Sequence, residues 1–263
     1  MKLFEIADKI EKLCPLHFAM ERDNVGLLVG DKNKDIKKIL LCCDVDEFVA
    51  KEAADLGVDL ILSHHPLMFY PINHLTENTP EERTLRILVK NDIALYSAHT
   101  NLDTARGGIN DYLAKILDLG DTEVVDEVLE YDGKIHGYGR KATLQNPLSL
   151  GEILEKCKIS LDLDGCKFVG NKEDMISTVV VNTGGGADII DMCIGKGVDL
   201  VITGDIKYNV ARSAYENGMK LVDIGHFDTE KIVMDFFMEF FKDFSELTLI
   251  KSKSNKRILN TFS

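Results

Sequence analysis

The 263-residue chain lacks the features of several protein classes. No apolar run approaches the roughly 18 to 20 residues that cross a bilayer, and acidic residues interrupt the N-terminal segment before a signal-peptide core forms. Basic residues are few: 31 Lys and Arg stand against 44 Asp and Glu, giving a net charge of −13. This charge gives no electrostatic support for nucleic-acid binding. We therefore expect a cytoplasmic protein that binds neither membrane nor nucleic acid.

Two further motifs are missing. None of the six cysteines forms a CxxC pair, and without an export signal we interpret them as reduced, buried thiols. The glycine-rich run NTGGG at 182–186 lacks the Lys-Ser/Thr of a P-loop. It is interpreted as a tight strand-to-helix turn, and the alternative is that its backbone N–H groups bind an anion at the start of the next helix. The basic run from Lys251 to Arg257 is interpreted as a solvated tail.

Short β-rich runs alternate with helical patterns along the whole chain. This alternation predicts an α/β fold made of two related, intimately packed lobes with mixed, largely parallel sheets. The strand-like runs are KILLCCDV, VDLILS and IALYSAH in the first half, and STVVVNT, VDLVIT and KLVDIGH in the second.

An internal repeat relates the two halves. GVDLILS at 57–63 matches GVDLVIT at 197–203, and each copy lies between similar strand and helix patterns. The alternative is that Gly-Val-Asp-Leu is a common helix-to-strand connection in which Gly caps the helix. Because the match extends over strand, helix and strand, we favour a duplication.

The boundary between the lobes is predicted in the segment TEVVDEVLEYDG, which is acidic and only weakly periodic. The first lobe then comprises residues 1–125 and is completed by 226–263. The second comprises residues 126–225.

Three predicted strands end in segments that contain histidine: SHHPL, SAHTNLD and GHFDTE. Ligand sites in open α/β sheets gather at the carboxyl ends of strands. Adjacent side chains on a regular strand point to opposite faces. His64 and His65 therefore converge only if the backbone turns after Ser63, or if two ions are present. Taken alone, each segment is equally typical of a surface turn, a loop or a helix cap.

The third segment opens a helix near Phe227 or Asp228. If the helical turn includes His226, then His226 and Glu230 share one face at a spacing of four residues. Asp228 is interpreted as the N-cap. The alternative for Glu230 is an acidic residue favoured by the helix dipole.

Together the three segments predict a shared metal site. Three imidazoles and two carboxylates are too few for two closed sites, but they suffice for one open dinuclear site with a bridging carboxylate. Imidazole ligands favour Zn, Fe, Mn, Co or Ni over Ca or Mg.

The motifs resemble those of the Nif-three-like dinuclear-metal family, whose members are commonly called GTP cyclohydrolase I type 2 homologues. The resemblance covers essentially the whole chain, and this chain resembles the short form without an inserted domain. The matching segments are DNVGLLVGD at 23–31, SHHPL at 63–67, SAHTNLD at 97–103 and GHFDTE at 225–230. The first of these reads as a turn before a strand.

The resemblance implies a ligand set and an assembly. It implies two α/β lobes, a homohexamer built from dimers, and two divalent metal ions per chain with Glu230 as the bridging carboxylate. The implied ligands are His64, His65, Asp103, His226 and Glu230.

A metal pair favours hydrolysis, because it makes a hydroxide nucleophile at neutral pH. We therefore expect a hydrolase that uses metal-bound water on a nucleotide or related small molecule, with GTP as the candidate that the family name suggests. His99 is expected to act as a catalytic acid/base or to bind substrate, or alternatively to orient Asp103. A non-catalytic metal-binding or metal-delivery protein and an interaction scaffold are the other hypotheses.

Overall fold

The computed structural model describes residues 1–259 and divides into two compact units. The first unit comprises Met1–Leu102 and Val233–Lys256, and the second comprises Asp103–Ile232 and, of the described C-terminal residues, 257–259. Among the described residues, no helix is long and apolar enough to cross a membrane.

The chain begins with four strands and four helices, the last of which contains the boundary between the units. In order they are α1 (Leu3–Leu13), a short 3-10 helix (Leu16–Phe18), β1 (Gly26–Val29), β2 (Lys38–Cys42), α2 (Glu47–Leu56), β3 (Leu60–Ser63), α3 (Pro80–Lys90), β4 (Ala94–Ser97) and α4 (Thr100–Thr104).

The second unit continues with six strands and five helices. They are α5 (Ile109–Ile116), β5 (Thr122–Tyr131), β6 (Lys134–Ser149), α6 (Leu150–Ser160), β7 (Lys167–Val169), β8 (Met175–Gly185), α7 (Ala187–Cys193), β9 (Leu200–Gly204), α8 (Tyr208–Glu216), β10 (Lys220–Asp223) and α9 (His226–Glu230). The first unit is then completed by α10 (Val233–Phe240) and β11 (Thr248–Lys251).

Each unit is built on one mixed sheet, which confirms the predicted α/β class. The first sheet has the order β1-β4-β3-β2-β11, and only the β1–β4 pair is antiparallel among its described strands. The second has the order β5-β6-β8-β9-β10-β7, with β8, β9 and β10 parallel and the remaining pairs antiparallel. The description "largely parallel" therefore fits only the first sheet.

Local sequence explains where the helices beside the first sheet begin and end. The Asp46 side chain accepts a hydrogen bond from the Val49 N–H and so caps α2. Gly57, in the left-handed conformation at φ +59°, ends that helix. At the start of α3, the Thr79 side chain caps the helix as Asp46 caps α2. Pro80 follows in the first turn, where its ring presets a helical φ. The apolar faces of α2 and α3 then pack on Leu40, Ile61 and Leu95 of the sheet.

The GVDL repeat makes the same hydrogen bonds in both units. Asp59 accepts bonds from two consecutive backbone N–H groups at the start of β2, at 2.8 and 2.9 Å. Asp199 accepts the equivalent pair from β8, also at 2.8 and 2.9 Å. The strand and helix order β2-α2-β3-α3-β4 is repeated as β8-α7-β9-α8-β10. A glycine helix cap alone would not reproduce this bonding, so the shared hydrogen bonds support a duplication.

The bounds of the units differ from those of the predicted lobes. Residues 122–131 of the acidic segment form β5, whose ladder with β6 places them inside the second sheet rather than at a boundary. Residues 226–230 stay with the second unit, where the Gly184 N–H donates to the Thr229 hydroxyl at 2.8 Å. The chain returns to the first unit only at Val233.

The cysteines are free thiols, and five of the six are buried, with Cys166 half-buried. Burial raises the pKa of the Cys157 thiol to about 12, so that thiol is neutral and packs as a small apolar group.

Loss of either repeated aspartate is expected to destabilise its unit. Asp59→Ala and Asp199→Ala each remove two charge-assisted bonds to backbone N–H groups, at a cost of about 1–3 kcal/mol. Asp55→Ala, at an exposed position on α2, is the matched control and should leave the melting temperature unchanged. Thermal unfolding of the three variants measures this, and equal melting temperatures would contradict the shared role.

Candidate metal centre

Three imidazoles converge in the first unit. Parallel pairing in register places Cys42, Ser63 and Ser97, the last residues of β2, β3 and β4, at one level of the sheet. The residues that follow β3 and β4 include the three histidines, whose ring centroids lie 5.1 to 5.2 Å apart. One nitrogen of each ring lies within 4.8 Å of the others, which is a spacing that can hold a metal ion. The three are His64, His65 and His99.

A bend in the backbone lets the adjacent His64 and His65 converge. Their N–H groups donate to consecutive carbonyls, of Cys42 at 3.2 Å and of Cys43 at 2.9 Å. Successive N–H groups of a regular strand point to opposite sides, so this bonding requires the strand to end at Ser63. The Ser63 hydroxyl also donates to the His65 carbonyl at 2.9 Å and holds the bend.

Each of these imidazoles has its Nδ1 atom bonded to an oxygen. The partner of His64 is the Ala98 carbonyl at 2.8 Å, and the partner of His65 is the Asp44 carboxylate at 2.7 Å. His99 bonds to the Asp23 carboxylate at 2.9 Å. Carbonyls and ionised carboxylates only accept hydrogen bonds, so the proton is on Nδ1 and the lone pair is on Nε2. Metal-ligating histidines are held in the same way.

The second unit holds a related pair. The helix α9 begins at His226, directly after Gly225, so His226 and Glu230 share one face as the four-residue spacing predicts. His226 Nε2 lies 3.1 Å from a Glu230 carboxylate oxygen, and its Nδ1 bonds to Asp205 at 2.8 Å. The hydrogen bond to Glu230, helped by Asp205, raises the pKa of His226 to about 9 despite burial. The His226 imidazole and the Glu230 carboxylate therefore face each other with a proton between them. The position between these two groups suits a cation.

Asp103 belongs to the same unit and is tied to its sheet. It lies in α4, and its backbone carbonyl accepts a bond from the Asn110 amide at 3.0 Å. The Asn110 carbonyl oxygen in turn accepts from the Thr183 N–H at 2.9 Å. Since Thr183 precedes Gly184 on β8, this buried network joins Asp103 to the strand beside α9.

Gly184 makes room for the α9 carboxylate. A Cβ atom at this position would lie 2.4 Å from Glu230 Oε1, and the residue has φ +66°. The NTGGG segment ends β8 at Gly185 and α7 begins at Ala187, which confirms the predicted strand-to-helix turn. Within this turn, a glycine is also required at position 184 because the Glu230 carboxylate lies so close to it.

Two sequence interpretations are wrong. Asp228 is not an N-cap, because it lies inside α9 and is buried. Its carboxylate accepts two bonds from the Arg257 guanidinium, both at 2.8 Å, and one from Lys231 at 2.8 Å. Arg257 therefore anchors α9 and is not part of a solvated tail.

Sequence reasoning missed the three carboxylates that hold histidines. Asp44 and Asp205 follow the ends of β2 and β9, so the strand-end argument that selected the histidines could have included them. Asp23 precedes β1 and lies 76 residues before His99, and only the tertiary fold reveals its role.

A family model described as Duf34/NIF3 (NGG1p interacting factor 3) matches residues 1–257. The chain belongs to the DUF34/NIF3 family. A Clostridium perfringens relative named GTP cyclohydrolase 1 type 2 homolog is 38% identical over 258 residues, covering 97% of this chain and 98% of that protein. The family predicted from the four motifs is thereby confirmed.

Solved structures have the same fold as this chain. A Bacillus cereus protein related to NIF3 matches with a TM-score of 0.89 and 26% identity, over 100% of this chain and 99% of that one. Reduced HcgD from Methanocaldococcus jannaschii matches with a TM-score of 0.82 and 34% identity, over 96% and 98% of the two chains.

Gly184→Ala should weaken metal binding. The added Cβ would displace the Glu230 carboxylate, and zinc affinity should fall about 10- to 100-fold, as when a ligand loses its support. Gly195→Ala is the matched control, since its φ of +75° imposes similar strain with no atom within 4 Å of the Cβ. Zinc titration of both variants measures this. Equal affinities would show that Glu230 does not depend on the glycine.

Proposed function

We propose that this protein binds two divalent metal ions and uses them to hydrolyse a nucleotide or related small molecule. The proposed ligands are His64, His65, Asp103, His226 and Glu230. One observation carries the proposal: in both units, histidines that follow parallel strands have Nδ1 held by an oxygen, which is how metal-ligating histidines are held. Imidazole with carboxylate suits Zn, Fe, Mn, Co or Ni.

The protein residues have distinct roles in this proposal. Asp44 and Asp205 fix the ring orientation of His65 and His226 and increase the basicity of Nε2. Glu230, held against Gly184, offers two oxygens and is the proposed bridging ligand. When bound, the metal pair supplies Lewis acidity that lowers the pKa of a coordinated water.

His99 is proposed as the group that moves a proton. It lies beside the two ligand histidines, and its bonded Nδ1 leaves Nε2 able to accept a proton from a reacting group. The relatives' name, GTP cyclohydrolase 1 type 2 homolog, makes GTP the first substrate to test.

Metal analysis with a substrate screen tests the proposal. The wild type should contain two ions per chain after reconstitution and turn over a member of a nucleotide and phosphoester panel. Glu230→Gln removes a charged ligand, so turnover should fall on the order of 100-fold. Glu246→Gln, at an exposed position, is the control. A content far below two ions contradicts the dinuclear site. Two ions with no turnover favours a metal-binding or delivery role, and partner capture that survives loss of all five ligands favours a scaffold.

His99→Ala separates ligation from proton transfer. Loss of a general acid/base should lower turnover about 10²- to 10⁴-fold while both ions stay bound. Plasma emission analysis gives the metal count in the sample used for kinetics. If one ion is lost with the side chain, His99 is a ligand and the assigned role is wrong.

A further inference from the structure

Asp23, in the DNVGL motif, is a buried carboxylate that gathers hydrogen-bond donors from two segments. Its side chain is only 2% exposed. It accepts a bond from the Asn24 N–H at 2.8 Å and from the Thr100 N–H at 3.1 Å, and a further bond from the Thr100 hydroxyl. The His99 Nδ1 atom lies 2.9 to 3.0 Å from both carboxylate oxygens. Two of these donors, His99 and Thr100, follow β4.

These donors keep the carboxylate ionised. Burial alone would raise the pKa of Asp23, but the bonds from His99 and Thr100 outweigh burial and lower the pKa to about 2. An ionised carboxylate has no proton to donate. The proton of the Asp23–His99 bond is therefore on His99 Nδ1, and neutral His99 has its lone pair on Nε2.

The ring of His99 is also held in direction. It stands edge-on to His64 and His65, at interplanar angles of 85° and 82°. A ring anchored at Nδ1 by a buried group cannot turn without breaking that bond. The lone pair of His99 is thereby kept beside the two imidazoles proposed as ligands.

The next residue of the motif holds the other histidine segment. The Asn24 amide donates to the Met68 carbonyl at 2.6 Å, three residues after His65. Consecutive residues of one motif thus bond to the segment after β3 and to the segment after β4. The motif thereby holds both of the segments that contain the three histidines.

We propose that Asp23 is the positioning residue of His99: it fixes the Nδ1-protonated tautomer and aims Nε2 at the ligand histidines, so that His99 can accept a proton there. The consequence for catalysis rests on the proposed function, but the tautomer does not. An amide in place of the carboxylate presents an N–H group to Nδ1, which favours a proton on Nε2 instead. The same logic governs histidine–aspartate pairs in hydrolytic triads.

Nitrogen-15 solid-state NMR of zinc-loaded protein labelled at the histidine rings tests this. The spectra are recorded at alkaline pH, where imidazole is neutral, and the His99 signals are identified by their loss in His99→Gln. In the wild type, His99 should show a protonated Nδ1 and an unprotonated Nε2. In Asp23→Asn, the two assignments should exchange, wholly or in part.

Thr100→Val is the matched control. It removes the hydroxyl donor to the same carboxylate and perturbs the same segment, yet it leaves the Nδ1 bond in place. The wild-type tautomer should therefore persist in this variant. An unchanged His99 spectrum in Asp23→Asn would overturn the inference, and so would the same exchange in Thr100→Val, since a general loss of packing would then explain both.

The zinc content of each sample distinguishes this failure from failure of the proposed function. Fewer than two ions in the wild type, with the tautomer exchange present, would contradict the dinuclear site and leave the role of Asp23 intact. Two ions in the wild type without the tautomer exchange would support the dinuclear site and contradict the role of Asp23.

Discussion

Parallel pairing in register brings the ends of β2, β3 and β4 to one edge of the first sheet. The alignment of Cys42, Ser63 and Ser97 follows from backbone hydrogen bonds, and everything after these residues begins at the same level. His65 and His99, which are 34 residues apart in sequence, thereby become neighbours. In the second sheet, Thr203 of β9 pairs with Asp223 of β10, and Asp205 and His226 follow the ends of these two strands. The duplicated strand order uses the same construction twice.

A second constraint is the hydrogen bond at each Nδ1 atom. An imidazole has two similar nitrogens, and without a fixed partner either can hold the proton. Here a carbonyl or carboxylate holds Nδ1 of His64, His65, His99 and His226. The acceptors fix both ring direction and tautomer. This distinguishes the four from His136, whose Nδ1 accepts a bond from the Arg106 N–H.

Much of the fold was predictable because buried helices and strands have characteristic patterns of apolar residues along the sequence. Fully buried strands such as LILS and LVITG begin with three consecutive apolar residues, and the GVDL units mark both copies of the repeat. The second sheet was less predictable. Its antiparallel strands β5 and β6 are half-exposed and carry charge, so the acidic segment at 122–131 resembled a linker. Asp228 was misassigned because its partner, Arg257, lies 29 residues away.

By itself, the sequence determined the α/β class, the repeat, and the His and Glu residues at strand ends, because these depend on local periodicity and on motifs of fixed spacing. Only the tertiary structure decided which carboxylate holds which histidine. Asp23 and His99 are 76 residues apart, and their bond exists because β1 pairs with β4. Gly184 likewise reads as a turn residue in sequence, and its approach to Glu230 becomes visible only when α9 packs beside β8. Hydrogen bonds and close contacts between distant segments leave no periodic signal, because each depends on a single pair of positions.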